Sequence, residues 1–160
     1  CSLSVRDVSQ VETLLGRAAE AGIGLTVLPG ANSYLQDAGT GRTPRLRGLA
    51  PLQEAAAAGV PVMLGSDNVR DGFFPYGDYD LIEVLRMGVL MGHLPPEDWL
   101  DAISARPAAW MGHDLTLRTG GPADFIHFDA TDLNDVISRP AVVRRVWRDG
   151  AVLPPFQGDK

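Results

Sequence analysis

Residues 60–77 constrain the fold more than any other stretch of the chain. Residues 60–64 are a short apolar run bounded by glycine, which predicts a buried β-strand. The run leads into Gly65, Ser66, Asp67 and Asn68, and then into a loop rich in glycine, proline and aromatic residues. In α/β enzymes the carboxyl ends of buried parallel strands carry the chemistry. Asp67 is therefore a candidate functional carboxylate, and the competing interpretation is an aspartate that only caps a turn.

Helical and strand patterns alternate over the first 112 residues. The predicted elements, in order, are a helix from a capping box of Ser9 and Glu12 to Gly22, a strand over 25–28, a loop over 31–48, a helix over 51–58, the strand over 60–64, a buried helix from an N-cap at Asp78 to Met91, and short helices over 95–103 and 107–112. Such alternation predicts βαβ units and a parallel sheet.

The pattern changes after Gly112. Residues 123–129 alternate between apolar and polar side chains, as in a half-buried strand. Asp149 and Gly150 lie between apolar residues, and an Asp-Gly pair in that setting predicts a β-hairpin. The chain is therefore expected to divide into an α/β part over 1–112 and a mostly β part over 113–160.

Only two strands are predicted in the first part. Two parallel strands cannot cover their own edges or bury both faces of a sheet. The chain also opens with Cys1 rather than methionine and enters a helix almost at once. We therefore expect the remaining strands to come from another chain or from the rest of a longer polypeptide.

Composition excludes several classes of protein. The 20 acidic residues outnumber the 14 basic ones, which argues against nucleic acid as a partner. No apolar run approaches the roughly 18–20 residues of a membrane span. The single cysteine excludes an intrachain disulfide and favours a reducing, cytoplasmic compartment.

Six short segments carry a resemblance to a known family: 29–36 (PGANSYLQ), 44–48 (PRLRG), 65–68 (GSDN), 71–77 (DGFFPYG), 104–109 (SARPAA) and 121–129 (GPADFIHFD). In this order and at these spacings they resemble the C-terminal part of a cytosine-deaminase-like enzyme of the metal-dependent amidohydrolase superfamily. The resemblance implies an α/β fold, namely the C-terminal portion of a (β/α)8 TIM-type barrel followed by part of a small β-sandwich domain. It also implies one divalent metal ion, Zn2+ or Fe2+, as cofactor.

The resemblance assigns a role to Asp67, and two residues that follow it are substrate candidates by their position and type. Asp67 matches the family's metal-binding aspartate at the end of strand eight and would also be catalytic, as the acceptor of the attacking water's proton. A carboxylate suits both tasks, because one short side chain can touch the metal and take the proton. Asn68 is a substrate-binding candidate, against an asparagine that bonds its own turn. Phe73 is a second candidate, because it can stack on a planar heterocycle, against a plain hydrophobic lid residue.

The implied activity is hydrolytic deamination of a small cytosine-like heterocycle with release of ammonia. One alternative is an amidohydrolase that cleaves a cyclic amide or an alkylamino group on a related ring. A non-enzymatic alternative is an inactive fragment or assembly piece that needs a partner chain. The family's His-x-His pair, later metal histidine, strand-six histidine and catalytic glutamate would all lie upstream of Cys1. This chain alone is therefore expected to be inactive without the N-terminal barrel half or a partner chain, and a homo-oligomer is left open.

Other polar residues are weaker candidates. The three histidines, His93, His113 and His127, show no metal-ligand spacing and are expected to be structural. Aspartates 71, 78 and 80 are interpreted as a hydrated, helix-capping cluster. Asn32 is a secondary substrate candidate at the same end of the barrel. Arg45 and Arg47 are candidates for binding an anionic group, against simple pairing with aspartate or glutamate.

Overall fold

The computed structural model describes residues 2–36, 38–39, 41, 43, 48–139 and 141–154. Within them, helices alternate with two short parallel strands, and a three-stranded antiparallel sheet follows. The elements are α1 (Val8–Glu20), β1 (Leu25–Val27), α2 (Pro29–Leu35), α3 (Leu52–Ala57), β2 (Val62–Leu64), α4 (Leu81–Gly92), α5 (Pro96–Trp99), α6 (Ala105–Trp110), β3 (Phe125–Phe128), α7 (Leu133–Ser138), β4 (Arg144–Arg148) and β5 (Ala151–Val152), with 3-10 turns at Ser2–Val5 and Leu100–Ile103. No helix among these residues is long and apolar enough to cross a membrane.

The parallel pair β1–β2 confirms the predicted βαβ unit. Leu25 pairs with Val62 and Val27 with Leu64, so both strands end at the same edge of the sheet. All three residues of β2 are buried, as expected for a parallel strand covered on both faces. The buried strand β2 therefore fixes the position of the backbone that leads to Asp67.

The hydrophobic core lies around this pair of strands. It brings together apolar side chains from five helices, the two parallel strands and the 3-10 turn after α5. Its most deeply buried members are Val27, Leu52, Ala55, Val62, Leu85 and Ala102. Packing on both sides of β2 gives the end of that strand a rigid base.

The first helix differs from its prediction at one end. It begins at Val8, and its N-cap is Asp7, whose side chain makes no capping hydrogen bond. Ser9 lies inside the first turn, so the predicted capping box with Glu12 is wrong. At the other end Gly22 adopts a positive φ of 64° and the Ile23 N–H bonds the Ala18 carbonyl at 2.9 Å, so the predicted glycine stop is confirmed.

Helix α2 replaces the start of the predicted loop over 31–48. Pro29 stands in the first turn of this helix, where its fixed φ favours helix entry and its missing N–H costs nothing. The pair Pro29-Gly30 ends a strand, as its composition indicates, but it also starts a helix. The first three residues of α2 are buried, so tertiary packing holds this short helix in place.

Helix α4 is capped by Asp80 rather than by the predicted Asp78. The Asp80 Oδ1 atom accepts the Ile82 N–H at 3.0 Å, while Asp78 Oδ1 accepts the Asp80 N–H at 2.7 Å. The prediction that this helix is well buried is wrong at Leu90, whose exposed fraction is 69%. One side of α4 faces the core, through Leu85 and its neighbours.

The C-terminal sheet has the order β3–β4–β5 and is antiparallel throughout. Asp149 and Gly150 both have positive φ, 48° and 77°, which is the type I′ hairpin that the Asp-Gly pair predicts. Helix α7, which the sequence pattern does not predict, interrupts the β part and contacts α4 and α5. The described residues form one sheet here, so the β-sandwich stays a prediction.

Side-chain bonds join the segments on either side of the predicted boundary at 112–113. Arg86 on α4 donates to the backbone carbonyls of Ile137 at 2.6 Å and Arg139 at 2.7 Å, at the end of α7. Arg144 on β4 pairs with Asp80. The division into two domains remains a prediction.

Candidate functional site

Asp67 lies three residues beyond the end of β2 and is exposed. Its φ of 61° is in the left-handed region, which aspartate and asparagine tolerate better than other side chains. No side-chain hydrogen bond or ion pair joins Asp67 to another described residue. The strand end therefore presents a carboxylate that no described neighbour neutralises.

A metal site would use this carboxylate as one of its ligands. Carboxylate oxygens are common ligands of both Zn2+ and iron in proteins. Among the described residues, however, no group of three or more histidine, cysteine, aspartate or glutamate side chains could hold a metal ion. The chemistry of Asp67 therefore fits one ligand position of a divalent site, and such a site would need further ligands from beyond the described residues.

The loop after Asp67 is organised around Asp71. The Asp71 Oδ1 atom accepts the backbone N–H groups of Phe73 at 2.9 Å and Phe74 at 3.0 Å. The Asn68 side-chain amide donates to the other oxygen, Oδ2. These bonds, led by that of the Phe74 N–H, hold the pKa of Asp71 below its ordinary value of 3.8, so the carboxylate is ionised at neutral pH.

One backbone bond and one side-chain bond close the same loop. The Arg70 N–H donates to the Tyr76 carbonyl at 3.3 Å, and Arg70 Nε donates to the Gly77 carbonyl at 3.0 Å. Arg70 and Gly77 both have positive φ, 53° and 78°, which lets the chain fold back sharply between them. Asn68 and Phe73 are thus held on a bonded frame that follows directly from Asp67.

The two phenylalanines of the loop have different surroundings. Phe73 is 67% exposed. The Phe74 ring lies 5.5 Å from that of Tyr34 on α2 and 6.0 Å from that of Tyr76, measured between centroids. Phe74 therefore anchors the loop, whereas Phe73 leaves its ring accessible to a planar ligand.

A cavity of about 210 Å³ lies between this loop and α4. Its lining includes Ser66, Val69, Phe74, Tyr76 and Met87, but none of the three predicted site residues. A cavity of about 410 Å³ lies elsewhere, near the starts of α1 and α3. Because its lining omits Asp67, Asn68 and Phe73, the smaller cavity is not a pocket around Asp67.

The weaker candidates are placed as follows. Asn32 lies in α2, half-buried, and its carbonyl accepts the Gln36 N–H at 3.0 Å. Cys1, Arg45 and Arg47 lie outside the described residues, as does most of the 44–48 motif.

The histidines stand apart from Asp67 in the fold. His93 ends α4 with a positive φ of 53°, His113 follows α6, and His127 lies on β3 opposite Arg145. None of the three belongs to a metal-binding group of described residues. Their prediction as structural residues stays a prediction.

The role of Asp71 in the loop differs from the sequence interpretation, which groups it with Asp78 and Asp80 as a hydrated cluster. A local signal for that role exists, because an aspartate in a turn commonly bonds the N–H two residues on. Phe73 is that second residue, and its N–H is indeed a donor to Asp71. The bond from Asn68, in contrast, depends on how the whole loop folds.

Comparison with known proteins places the chain among hydrolases. Residues 4–154 match the family model described as "Amidohydrolase family". The chain is 42% identical over 157 residues to a pterin deaminase of Rhizobium rhizogenes, covering 96% of this chain and 36% of the relative. It is 29% identical over 167 residues to a 5-methylthioadenosine/S-adenosylhomocysteine deaminase of Haloarcula marismortui, covering 92% of this chain and 34% of the relative.

Two solved structures resemble the fold. A 5-methylcytosine deaminase from Klebsiella pneumoniae, liganded with 5-fluorocytosine, aligns with a TM-score of 0.81 at 24% identity, covering 100% of this chain and 40% of that one. An N-isopropylammelide isopropylaminohydrolase from Burkholderia multivorans aligns with a TM-score of 0.72 at 26% identity, covering 94% of this chain and 36% of that one. The mixed α/β fold is thus consistent with part of the amidohydrolase barrel. The chain spans little more than a third of its curated relatives. The chain belongs to the amidohydrolase family.

Proposed function

We propose that this chain is the C-terminal part of a metal-dependent hydrolytic deaminase that releases ammonia from a cytosine-like or pterin-like heterocycle. The observation that carries the proposal is the Asp67 carboxylate, exposed at the end of a buried parallel strand and without a described partner. The 42% identity to a pterin deaminase along 96% of the chain supports the reaction class. Among the substrates named for the relatives, pterin is the first to test.

Asp67 has two tasks in the proposed reaction. Asp67 would be one of the residues that hold a single divalent ion, Zn2+ or Fe2+, and its carboxylate would accept a proton from the attacking water. When bound, the metal supplies a nucleophile at neutral pH by lowering the pKa of water to about 7. Hydrolysis replaces the ring C–NH2 bond with a carbonyl and releases ammonia. Hydrogen bonds within the loop hold the backbone next to Asp67, so we expect the loop to change its conformation little during the reaction.

Asn68 and Phe73 bind the substrate in this proposal. Asn68 follows Asp67 directly, so its amide can reach the edge of a ring whose reacting carbon lies near the carboxylate. Phe73 offers an accessible ring face for stacking on a flat heterocycle. Phe74 and its tyrosine neighbours fix the loop on which both residues stand.

The proposal concerns the whole protein, of which this chain is a part. The described residues supply one candidate metal ligand and two strands of a barrel. The remaining ligands, the proton-shuttling glutamate and the other strands are proposed to come from further polypeptide or from a partner chain. The isolated 160 residues are therefore expected to be inactive.

The test is ammonia release by the whole protein, freed of metal with a chelator and then reloaded with Zn2+ or Fe2+. Substrates are pterin, cytosine, 5-methylcytosine and 5-methylthioadenosine. We expect release from at least one heterocycle and a loss of roughly 10²–10⁴-fold in kcat for Asp67→Asn. Asparagine tolerates the same positive φ, so the variant should fold normally. No release from any substrate, or full activity in the variant, would overturn the proposal.

A second candidate activity is removal of an alkylamino group from a related ring. The structural similarity to an N-isopropylammelide isopropylaminohydrolase, at 26% identity, favours including it. The chemistry at the ring carbon is the same, and only the leaving group differs. Chromatographic detection of isopropylamine from N-isopropylammelide, against ammonia from pterin, separates the two activities.

A further inference from the structure

The Asp71 carboxylate accepts three hydrogen bonds from the loop that follows Asp67. Two come from the backbone N–H groups of Phe73 and Phe74, to one oxygen, and they fix the direction of the carboxylate. The third comes from the side-chain amide of Asn68, to the other oxygen. The carboxylate is therefore held by the backbone and in turn holds Asn68.

The bond between Asn68 and Asp71 decides which end of the Asn68 amide remains available. An ionised carboxylate can only accept hydrogen bonds, so the amide must turn its NH2 group towards Asp71. A half-turn of the amide would place two acceptor oxygens against each other. No hydrogen bond to the Asn68 carbonyl oxygen, Oδ1, is found in the part of the chain that the structure describes. The described residues thus leave Asn68 with a free acceptor.

We propose that Asp71 is a positioning residue that fixes the orientation of the Asn68 amide, an inference that rests on the proposed function. The carbonyl oxygen of Asn68 then faces the ring of the substrate and selects rings that present an N–H donor at that edge. A ring that presents an acceptor nitrogen or an N–CH3 group there leaves the Asn68 oxygen without a partner. An unmet hydrogen bond in a substrate site lowers kcat/KM by about tenfold or more. The substrate class is therefore narrowed to amino heterocycles with a ring N–H, of which pterin is one.

The test compares two probes on the whole, metal-loaded protein. Pterin carries a lactam N–H on its ring, and 3-methylpterin carries a methyl group in its place. If the substrate panel selects 5-methylcytosine instead, its 1-methyl derivative replaces 3-methylpterin. The readout is the selectivity, defined as kcat/KM for the N–H probe divided by kcat/KM for the N-methyl probe.

Two changes separate positioning from general damage to the loop. In Asp71→Asn the two backbone N–H groups hold the new carbonyl oxygen, so the new NH2 group faces Asn68 and the Asn68 amide turns its own NH2 towards the ring. We therefore expect about a tenfold loss of kcat/KM for the N–H probe, mainly through KM, and a lower selectivity. The exchanged pair Asn68→Asp with Asp71→Asn restores the geometry, because the new Asp accepts from the new Asn and keeps one oxygen for the ring. Its selectivity should return to within about threefold of the wild type.

Asp114→Asn is the matched control. Asp114 is also exposed and bonds a backbone N–H two residues on, that of Thr116 at 2.9 Å, as well as Arg118, but it lies between α6 and β3. Its loss should leave the selectivity unchanged. If Asp71→Asn does not fold, the exchanged pair and Asn68→Ala test the same point, since only the latter should lose selectivity.

The outcomes separate this inference from the proposed function. Equal losses on both probes in Asp71→Asn, or an exchanged pair that folds but does not regain selectivity, would overturn the inference and leave the deaminase standing. A wild-type protein that releases no ammonia from any heterocycle would overturn the proposed function and the inference together. Recovery of selectivity in the exchanged pair would support both.

Discussion

The guanidinium of Arg144 on β4 donates two hydrogen bonds to the carboxylate of Asp80, which is the N-cap of α4. The bond from Nη1 to Oδ1 is 2.8 Å long, and Nη2 bonds the second oxygen. The residues are 64 positions apart, so the pair joins the antiparallel sheet to the helix that follows the candidate site. Asp80 also caps α4 through the Ile82 N–H, so one carboxylate serves both a helix start and a long-range contact.

Arg144→Ala should destabilise the whole protein by about 1–2 kcal/mol, because it leaves a half-buried carboxylate without its charged partner. Thermal or urea unfolding of variant and wild type measures the difference. Arg145→Ala is the control, because Arg145 is the next residue on the same strand and forms no ion pair among the described residues. Equal shifts in the two variants would show that the ion pair contributes nothing special.

The contribution of this pair should depend on pH. Arg144 is the largest cause of the lowered pKa of Asp80, which falls below its ordinary value of 3.8. A carboxyl whose pKa is lower when folded adds stability above its unfolded pKa, and this stability is lost as the pH falls through the folded value. The difference between wild type and Arg144→Ala should therefore be constant from about pH 7 to about pH 5 and shrink below about pH 4. A difference that persists unchanged at about pH 2.5 would contradict this account.

Substitutions at Asp67 should separate the effect of backbone strain on stability from the effect of the carboxylate on activity. Asp67→Asn and Asp67→Gly should keep the unfolding midpoint close to that of the wild type, because both residues accept a positive φ. Asp67→Val should cost about 1–2 kcal/mol, because a β-branched side chain is strained in that region. All three should lose ammonia release if the carboxylate is needed. Denaturant unfolding and the release assay, run on the same samples, measure the two effects separately.

The two phenylalanines of the loop should respond in opposite ways. Phe73→Ala removes an exposed ring, so stability should change by less than about 0.5 kcal/mol while KM rises about tenfold through lost stacking. Phe74→Ala breaks the contacts with Tyr34 and Tyr76 and should destabilise the loop by about 1–3 kcal/mol. Proteolysis of the loop and steady-state kinetics provide the comparison. A large stability loss in Phe73→Ala would instead favour its role as a packed lid residue.

Local sequence patterns determined the strand β2, the stop at Gly22 and the Asp149-Gly150 hairpin. Each depends on interactions within a few residues: an apolar run, a left-handed glycine, or a turn that needs two positive φ values. The short motifs along the chain were enough to indicate Asp67, through the family resemblance that they carry. The match over residues 4–154 confirms the family that those motifs indicated.

Tertiary structure alone decided the features that join distant or competing groups. Pro29 could end a strand or begin a helix, and burial of the start of α2 settled the choice. Asp78 and Asp80 both have a side chain suited to cap α4, and Asp80 is the residue that caps it. Arg144, which is 64 positions away in the sequence, bonds Asp80 in the folded chain. Asp71 and Asn68 meet only because the loop folds back on itself. Short-range propensities cannot encode such contacts, since their energy appears only once packing has brought the partners together.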